Sequence, residues 1–221
     1  MNDTLTTATG TSEHARTETN TLGTRRLAAY LVGIGAVLFA AGNVMHPLRH
    51  DTAAYASPTW EAAHLTFALG GMLVAAGLPM LVAVGGFVRP HWMVTASALV
   101  TAVAFAGFGP GAWFEAFIAP MPGGVREQVE AGPGQAVNAV LGFAWLLATL
   151  VYGIGLIWRG DRRGVRAAGG ALVAAVVVMV VFPGLPGAEG LWIIPATVVV
   201  SLAHLATALT AMRPPAAARA A

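Results

Sequence analysis

The chain has 221 residues, of which 57% are hydrophobic and only 10% are charged, whereas soluble domains carry roughly 25% charged residues. Such a composition excludes a sizeable soluble domain and indicates a protein embedded in a lipid bilayer. The absence of cysteine excludes disulfides, thiolate metal sites and a cysteine nucleophile, and because the net charge of +2 comes from dispersed arginines, nucleic acid is not an expected partner.

The first 24 residues are polar and rich in threonine. They lack a hydrophobic period and cannot bury enough apolar surface to offset their ordering entropy, which predicts a disordered cytoplasmic tail. Arg25 and Arg26 then precede an apolar stretch at residues 27–45. The long polar lead and long apolar core favour an uncleaved first helix over a signal peptide. The chain therefore divides into a tail of residues 1–24, a transmembrane domain of residues 25–213 and a short cytoplasmic tail of residues 214–221.

Five further apolar runs follow the first one. Crossing the hydrocarbon core takes about 20 mostly apolar residues, so the sequence predicts an all-α polytopic transmembrane helical bundle with six spans. Tryptophan side chains near the span ends are typical of membrane interfaces. The predicted spans are residues 27–45, 61–87, 92–118, 136–158, 167–182 and 191–212, and the five interfacial residues are Trp60, Trp92, Trp113, Trp158 and Trp192.

The arginines are distributed unevenly between the two sides that six spans define. Ten of the twelve lie in the terminal segments and in the loops around Arg89 and Arg159–Arg166, and only Arg49 and Arg126 lie on the other side. Short cytoplasmic loops carry an excess of basic residues. The distribution therefore predicts two cytoplasmic termini, and the lysine-free, alanine-rich composition is typical of a high-GC bacterium and hence of a bacterial inner (plasma) membrane.

The third predicted span contains the sequence Gly107-Phe108-Gly109-Pro110-Gly111. Proline removes a backbone donor and clashes with the preceding turn, so a break or a kink is expected near the outer end of this span. A simple kink or an early helix end is the first interpretation. The alternative is a functional cavity, because interrupted helices line binding sites in membrane transporters.

Ionisable residues gather near the outer ends of the first three spans. Asn43 and His46 share one helix face, as do Glu61 and His64, and the short connecting loop allows these four residues to converge, with Glu115 beside them. Imidazole and carboxylate groups in this pattern are candidate ligands for zinc, copper or iron, or a base with its orienting partner. His46, Glu61, His64 and Glu115 are thus the candidate metal residues. The alternative is an interfacial hydrogen-bonded group, and a di-iron site is not expected because Glu-x-x-His occurs once.

His204 lies about 20 Å below the start of the last predicted span, at a rise of 1.5 Å per residue. At that depth it is not expected to coordinate the same metal as the histidines of the outer cluster. A structural hydrogen bond to a neighbouring helix, with Thr197, Ser201 or Thr207 in reach, is the first interpretation. The alternative is an axial haem ligand, although no second histidine lies at a similar depth.

Asn43-Val44-Met45-His46-Pro47, followed by Trp60-Glu61-Ala62-Ala63-His64, resembles small multi-pass membrane proteins of high-GC bacteria that are catalogued as uncharacterised. The resemblance extends over about residues 30–80 and implies a six-helix membrane fold of unknown role. It supplies no catalytic residues, and the chain contains no complete hydrolase or nucleotide-binding motif.

Two functional hypotheses follow from the sequence. The first is a noncatalytic membrane component or small-solute binding bundle, whose partners are the lipid bilayer and a second membrane protein or a homo-oligomer. The second is an outer-facing histidine and glutamate site that binds a metal or a haem. The sequence leaves open whether the protein is an enzyme.

Overall fold

The computed structural model describes residues 5–49, 51–122, 124–181 and 190–213, with side chains described from residue 20 onward. The described residues form helices and connecting loops without a strand, so the predicted all-α fold is confirmed. The helices are α1 (Leu5–Met45), α2 (Thr52–Tyr55), α3 (Trp60–Val84), α4 (Trp92–Phe117), α5 (Val125–Glu130), α6 (Pro133–Arg159), α7 (Arg163–Val181) and α8 (Gly190–Met212).

Six of these helices are long and apolar enough to cross a membrane, as predicted. The candidate spans are Asn20–Met45, Trp60–Val84, Trp92–Phe117, Pro133–Arg159, Arg163–Val181 and Gly190–Met212. At 1.5 Å per residue, spans of 19 to 27 residues are long enough to cross a hydrocarbon core about 30 Å thick. The protein is therefore an integral membrane protein with several spans.

The six spans form a closed ring in chain order. Each span from α1 through α3, α4, α6, α7 and α8 packs against the next, and α8 packs back against α1. Short loops explain the order, since consecutive helices joined by a few residues become antiparallel neighbours. The ring has two ends: the histidine end, which carries His46, His64 and Glu115, and the arginine end, which carries Arg89 and Arg159.

Glycine permits the close approach of α1 and α3. A Cβ atom on Gly35 would lie 2.7 Å from the backbone oxygen of Gly70, and one on Gly42 would lie 2.5 Å from the backbone nitrogen of Phe67. Backbone contact of this kind is typical of membrane helices, because small residues allow extensive van der Waals packing where no hydrophobic driving force exists.

The loops of the arginine end are paired with each other. Val88 and Gly160 form an isolated antiparallel bridge, and the backbone N–H of Arg89 donates to the oxygen of Arg159 over 2.9 Å. Arg162 donates from Nη1 to the oxygen of Thr210 over 3.0 Å, where helix carbonyls near a C-terminus lack intrahelical partners. The arginines of this end thus stabilise helix ends in addition to marking the loops.

Helix α1 begins at Leu5, although its apolar span begins at Asn20. Its first turns fall in the segment predicted from composition as a disordered tail. The predicted domain division, with its disordered tail at residues 1–24, stays a prediction. The tail predicted at residues 214–221 lies outside the described residues.

Helix α4 continues through Pro110 to Phe117, so a break or an early end of the third span is wrong, whereas a kink at the proline stays a prediction. Gly107, Gly109 and Gly111 surround the proline in the sequence, and the helix remains continuous across all four residues. Membrane helices tolerate proline in this way when neighbouring groups and local adjustments satisfy the freed backbone carbonyl. The residues of the predicted break have a different role, described next.

Candidate functional site

A cleft of about 1140 Å³ opens at the histidine end of the ring. Binding pockets for small molecules typically have volumes of roughly 300–1,000 Å³, so this cleft is large enough for an extended ligand. Gly107, Pro110 and Gly111 of α4 lie along one wall. The residues that motivated a predicted break thus line a cavity, which was the alternative interpretation of this motif, although the helix that carries them is unbroken.

His46 and His64 lie together at the mouth of the cleft. Their ring centroids are 4.8 Å apart in an edge-to-face arrangement. Nδ1 of His46 donates to the oxygen of Pro47 over 2.7 Å, and Nδ1 of His64 donates to the oxygen of Trp60 over 2.8 Å. A ring that donates through Nδ1 carries its lone pair on Nε2 when neutral, so both tautomers are set by the backbone.

Trp60 supports this pair from behind. Only 2% of its surface is exposed, and its ring centroid lies 4.4 Å from that of His64 and 5.2 Å from that of His46. Its Nε1–H donates to the backbone oxygen of Glu115 over 2.7 Å. Trp60 lies at the first residue of its candidate span, as predicted, but it is buried against the two histidines, whereas Trp92 and Trp158 are 75% and 72% exposed.

Glu61 does not join the cluster. Its side chain is exposed and does not line the cleft, whereas Asn43, His46, His64 and Glu115 do. The reason is the helical turn of about 100° per residue: Trp60 and His64, four residues apart, occupy the inward face of α3, so Glu61 lies at its edge. Although Glu61 and His64 are only three residues apart, His64 is buried and lines the cleft, whereas Glu61 is exposed.

Charged residues that the sequence analysis did not select also line the mouth. Arg126 and Glu130 of α5 form an ion pair of 2.7 Å, one helical turn apart, and the guanidinium of Arg126 lies 5.3 Å above the ring of Tyr55. Gln135 and Asn138, at the start of α6, line the same cleft. These two polar residues are three positions apart at the outer end of an apolar span. That spacing could have predicted a polar face of the helix turned towards the cleft.

The floor of the cleft is aromatic. Phe39, Phe67, Phe108 and Trp145 all line it. Their rings contact one another, with centroids 5.1 Å apart for Phe39 and Phe67 and 5.5 Å apart for Phe108 and Trp145. Tilted and edge-to-face pairs at these separations are favourable beyond the area they bury, so the floor is a packed apolar surface beneath a polar mouth.

No group of three or more histidine, aspartate or glutamate side chains is positioned to hold a metal ion in the part of the chain that the structure describes. Of the four candidate metal residues, His46 and His64 are adjacent, Glu115 lines the same cleft and Glu61 lies outside it. His50 and Glu189 lie outside the described residues. The metal site stays a prediction.

His204 lies in the centre of the ring, beneath the floor. Its Nδ1 donates to the oxygen of Val200 in its own helix over 2.8 Å, and its ring lies 5.6 Å from that of Phe105 and 6.2 Å from that of Tyr152. Within the described residues, its Nε2 has no hydrogen-bond partner. The expected hydrogen bond to a neighbouring helix is thus replaced by one within α8.

Comparisons with known proteins supply no further guide. No protein-family model, no curated protein and no solved structure matches this chain. The resemblance to uncharacterised bacterial membrane proteins therefore stays a prediction, and the cleft itself is the basis for a functional proposal.

Proposed function

We propose that this protein binds a small amphipathic molecule in the cleft at its histidine end. The observation that carries the proposal is the polarity gradient along one cavity of about 1140 Å³, from a mouth with His46 and Glu115 to a floor with Phe67 and Phe108. A ligand with one polar and one apolar end matches this gradient. This is the small-solute binding bundle among the two functional hypotheses.

The charges of the mouth favour a zwitterionic or neutral polar group. Among the described residues, two arginines, Arg49 and Arg126, and two carboxylates, Glu115 and Glu130, line the cleft, so the formal charges of these four side chains balance. Asn43 and Asn138 add amide groups that both donate and accept hydrogen bonds. A strongly anionic ligand would be repelled by the two carboxylates, and a strongly cationic ligand by the two arginines.

We also propose that the mouth faces away from the cytoplasm, in a bacterial inner membrane. Support comes from the ten arginines assigned to the opposite side of the membrane and from the positive-inside rule. In this orientation the cleft is accessible from the outer half of the bilayer and from the outer aqueous space.

Filling the cleft tests the binding function. Gly142 lines the cleft, and a Cβ atom on it would meet nothing within 4 Å, so Gly142→Phe should place a ring in the cavity without a clash. Gly170 in α7 also has open space but does not line the cleft, which makes Gly170→Phe the matched control.

The measurement is mass spectrometry of organic extracts from protein purified in a single detergent. We expect one amphipathic species to accompany the wild type and Gly170→Phe, and to be depleted in Gly142→Phe. Equal amounts of every extracted species in all three proteins, at equal yield and helicity, would overturn the proposal.

A metal or haem site is the second candidate function, favoured by the paired histidines. In most metal-binding histidines the other ring nitrogen donates to a carboxylate, a backbone carbonyl or water, and both His46 and His64 donate through Nδ1 to a carbonyl. Elemental analysis and an absorption spectrum of protein without a polyhistidine tag provide the test. A metal or a Soret band should be lost in the His46→Ala, His64→Ala double variant and retained in His204→Ala; equal content in all of them would exclude the site.

A further inference from the structure

The first part of α6 is not packed into the ring. From Pro133 to Gly142 no residue is buried, and Trp145 is the first buried residue of the helix. Gly134, Asn138 and Leu141 of this segment line the cleft. The segment is therefore a single wall that separates the cleft from the surroundings of the bundle.

The opposite side of this wall is apolar. Val140, Phe143 and Leu147 are 67%, 74% and 64% exposed, and in a membrane such residues face the hydrocarbon. Between Gln135 and Trp158 helix α6 has no charged residue. An apolar chain can thus lie against this helix from the lipid side without desolvating a charge.

At this height of the seam between α4 and α6, two side chains of α6 lie against glycines of α4. A Cβ atom on Gly107 would lie 2.6 Å from Cδ1 of Leu141, and one on Gly111 would lie 3.3 Å from Oδ1 of Asn138. In both places a side chain of α6 rests on a glycine of α4. Rotating or shifting these two side chains removes the barrier without unpacking any buried residue of α6.

The second half of α6, in contrast, is fixed. Tyr152 and Leu156 are fully buried, and a Cβ atom on Gly153 would lie 2.9 Å from the oxygen of Gly169 in α7. Interfaces with this backbone contact resist sliding, whereas helix ends with few buried apolar contacts open at low cost. Any displacement of α6 is therefore expected to pivot near Trp145.

We infer that the ligand of the cleft is a bilayer-resident amphiphile with a single apolar chain, and that it passes laterally from the lipid between α4 and α6. The inference rests on the proposed binding function and adds the ligand class and the route. Leu141 and Asn138 form the barrier. The polar group of the ligand moves at the level of the mouth, while its chain moves past Leu141 towards the aromatic floor.

A disulfide across the seam tests the route, because the chain contains no cysteine of its own. Gly107→Cys with Leu141→Cys is the first pair, since Cγ of Leu141 lies 3.4 Å from the Cβ position of residue 107. Gly111→Cys with Asn138→Cys is a second, independent pair. Gly33→Cys with Ala208→Cys is the matched control, because those Cβ positions are 3.8 Å apart and join α1 to α8 away from the cleft, within the usual Cβ separation of a disulfide.

The probe is a fluorescently labelled palmitoyl lysophosphatidylcholine, delivered from phosphatidylcholine vesicles to protein in nanodiscs. We expect saturable binding that Gly142→Phe abolishes. Oxidation of either seam pair should slow probe exchange by at least about tenfold, since the open state is then forbidden, and a reductant should restore it. The oxidised control pair should exchange at the wild-type rate.

The outcomes separate the two proposals. Unchanged exchange in both seam pairs, with cross-linking verified by mass spectrometry, would overturn the lateral route while leaving the cleft as the binding site. Binding of the probe that Gly142→Phe does not reduce would overturn the proposed ligand class for the cleft. Absence of saturable probe binding to the wild type would also overturn the proposed ligand class.

Discussion

The indole Nε1–H of Trp60 donates to the backbone oxygen of Glu115 over 2.7 Å and so joins the start of α3 to the end of α4. These helix ends carry the inner side of the cleft mouth. The same indole ring packs against His64 and His46. One side chain therefore sets the position of both histidines and of the carboxylate-bearing end of α4.

Replacing Trp60 with phenylalanine should destabilise this end of the ring. The variant removes the indole donor and with it the hydrogen bond to the backbone oxygen of Glu115, at a cost of about 0.5–1.5 kcal/mol. Circular dichroism during thermal unfolding in detergent measures the effect. Trp92→Phe is the control, because Trp92 is 75% exposed; equal losses in both variants would contradict the importance of the hydrogen bond.

The contact between α1 and α3 predicts a strong dependence on glycine. A Cβ atom on Gly70 would overlap the backbone nitrogen of Phe39 and lie 2.7 Å from the oxygen of Gly35. Gly70→Ala should therefore cost about 1–3 kcal/mol or more through overpacking. Gly170→Ala meets nothing within 4 Å and should be neutral or stabilising by up to about 1 kcal/mol, because alanine is the better helix former. Similar midpoints for the two variants would show that the helices can separate freely.

Buried hydroxyl groups that have no hydrogen-bond partner among the described residues should be removable without loss of stability. The hydroxyl of Tyr152 is buried and has no hydrogen-bond partner within the described residues. Because its burial costs free energy that no bond offsets, Tyr152→Phe should leave stability unchanged or raise it by about 1 kcal/mol. Thr101→Val, at another such hydroxyl, should behave alike. A clear loss of thermal stability in Tyr152→Phe would indicate an internal water that bridges this hydroxyl to another group.

The proposed orientation predicts how single cysteines react in intact cells. Ser57→Cys lies in a loop of the histidine end, and Gly164→Cys lies at the start of α7 at the arginine end. A membrane-impermeant maleimide should label the first in intact cells and the second only after permeabilisation. The reverse pattern would invert the orientation and place the cleft mouth on the cytoplasmic side.

The positions of the spans followed directly from the sequence, because a continuous apolar run of this length is stable in lipid as a membrane-spanning helix. The pairing of His46 with His64 followed from a short loop between two helices. The direction of Glu61 did not, because local spacing fixes which residues share a face but not which face turns inward. That choice was made by Trp60, whose large ring is buried at the same turn.

The cleft could not be predicted from local sequence, for a similar reason. The sequence identified Gly107 and Pro110 as unusual, but a cavity depends on the distance between α4 and α6, which neither helix encodes alone. Arg126 and Glu130 lie on a short helix whose docking over the mouth depends on the fold as a whole.

The closure of the ring by α8 against α1 has a consequence for assembly. Helix α8 contacts both α1 and α7, so without it the other five spans would be arranged around an open side. Gly190, Ile194 and Thr197 of α8 line the cleft. The cleft is therefore complete only once α8 has packed against both of its neighbours.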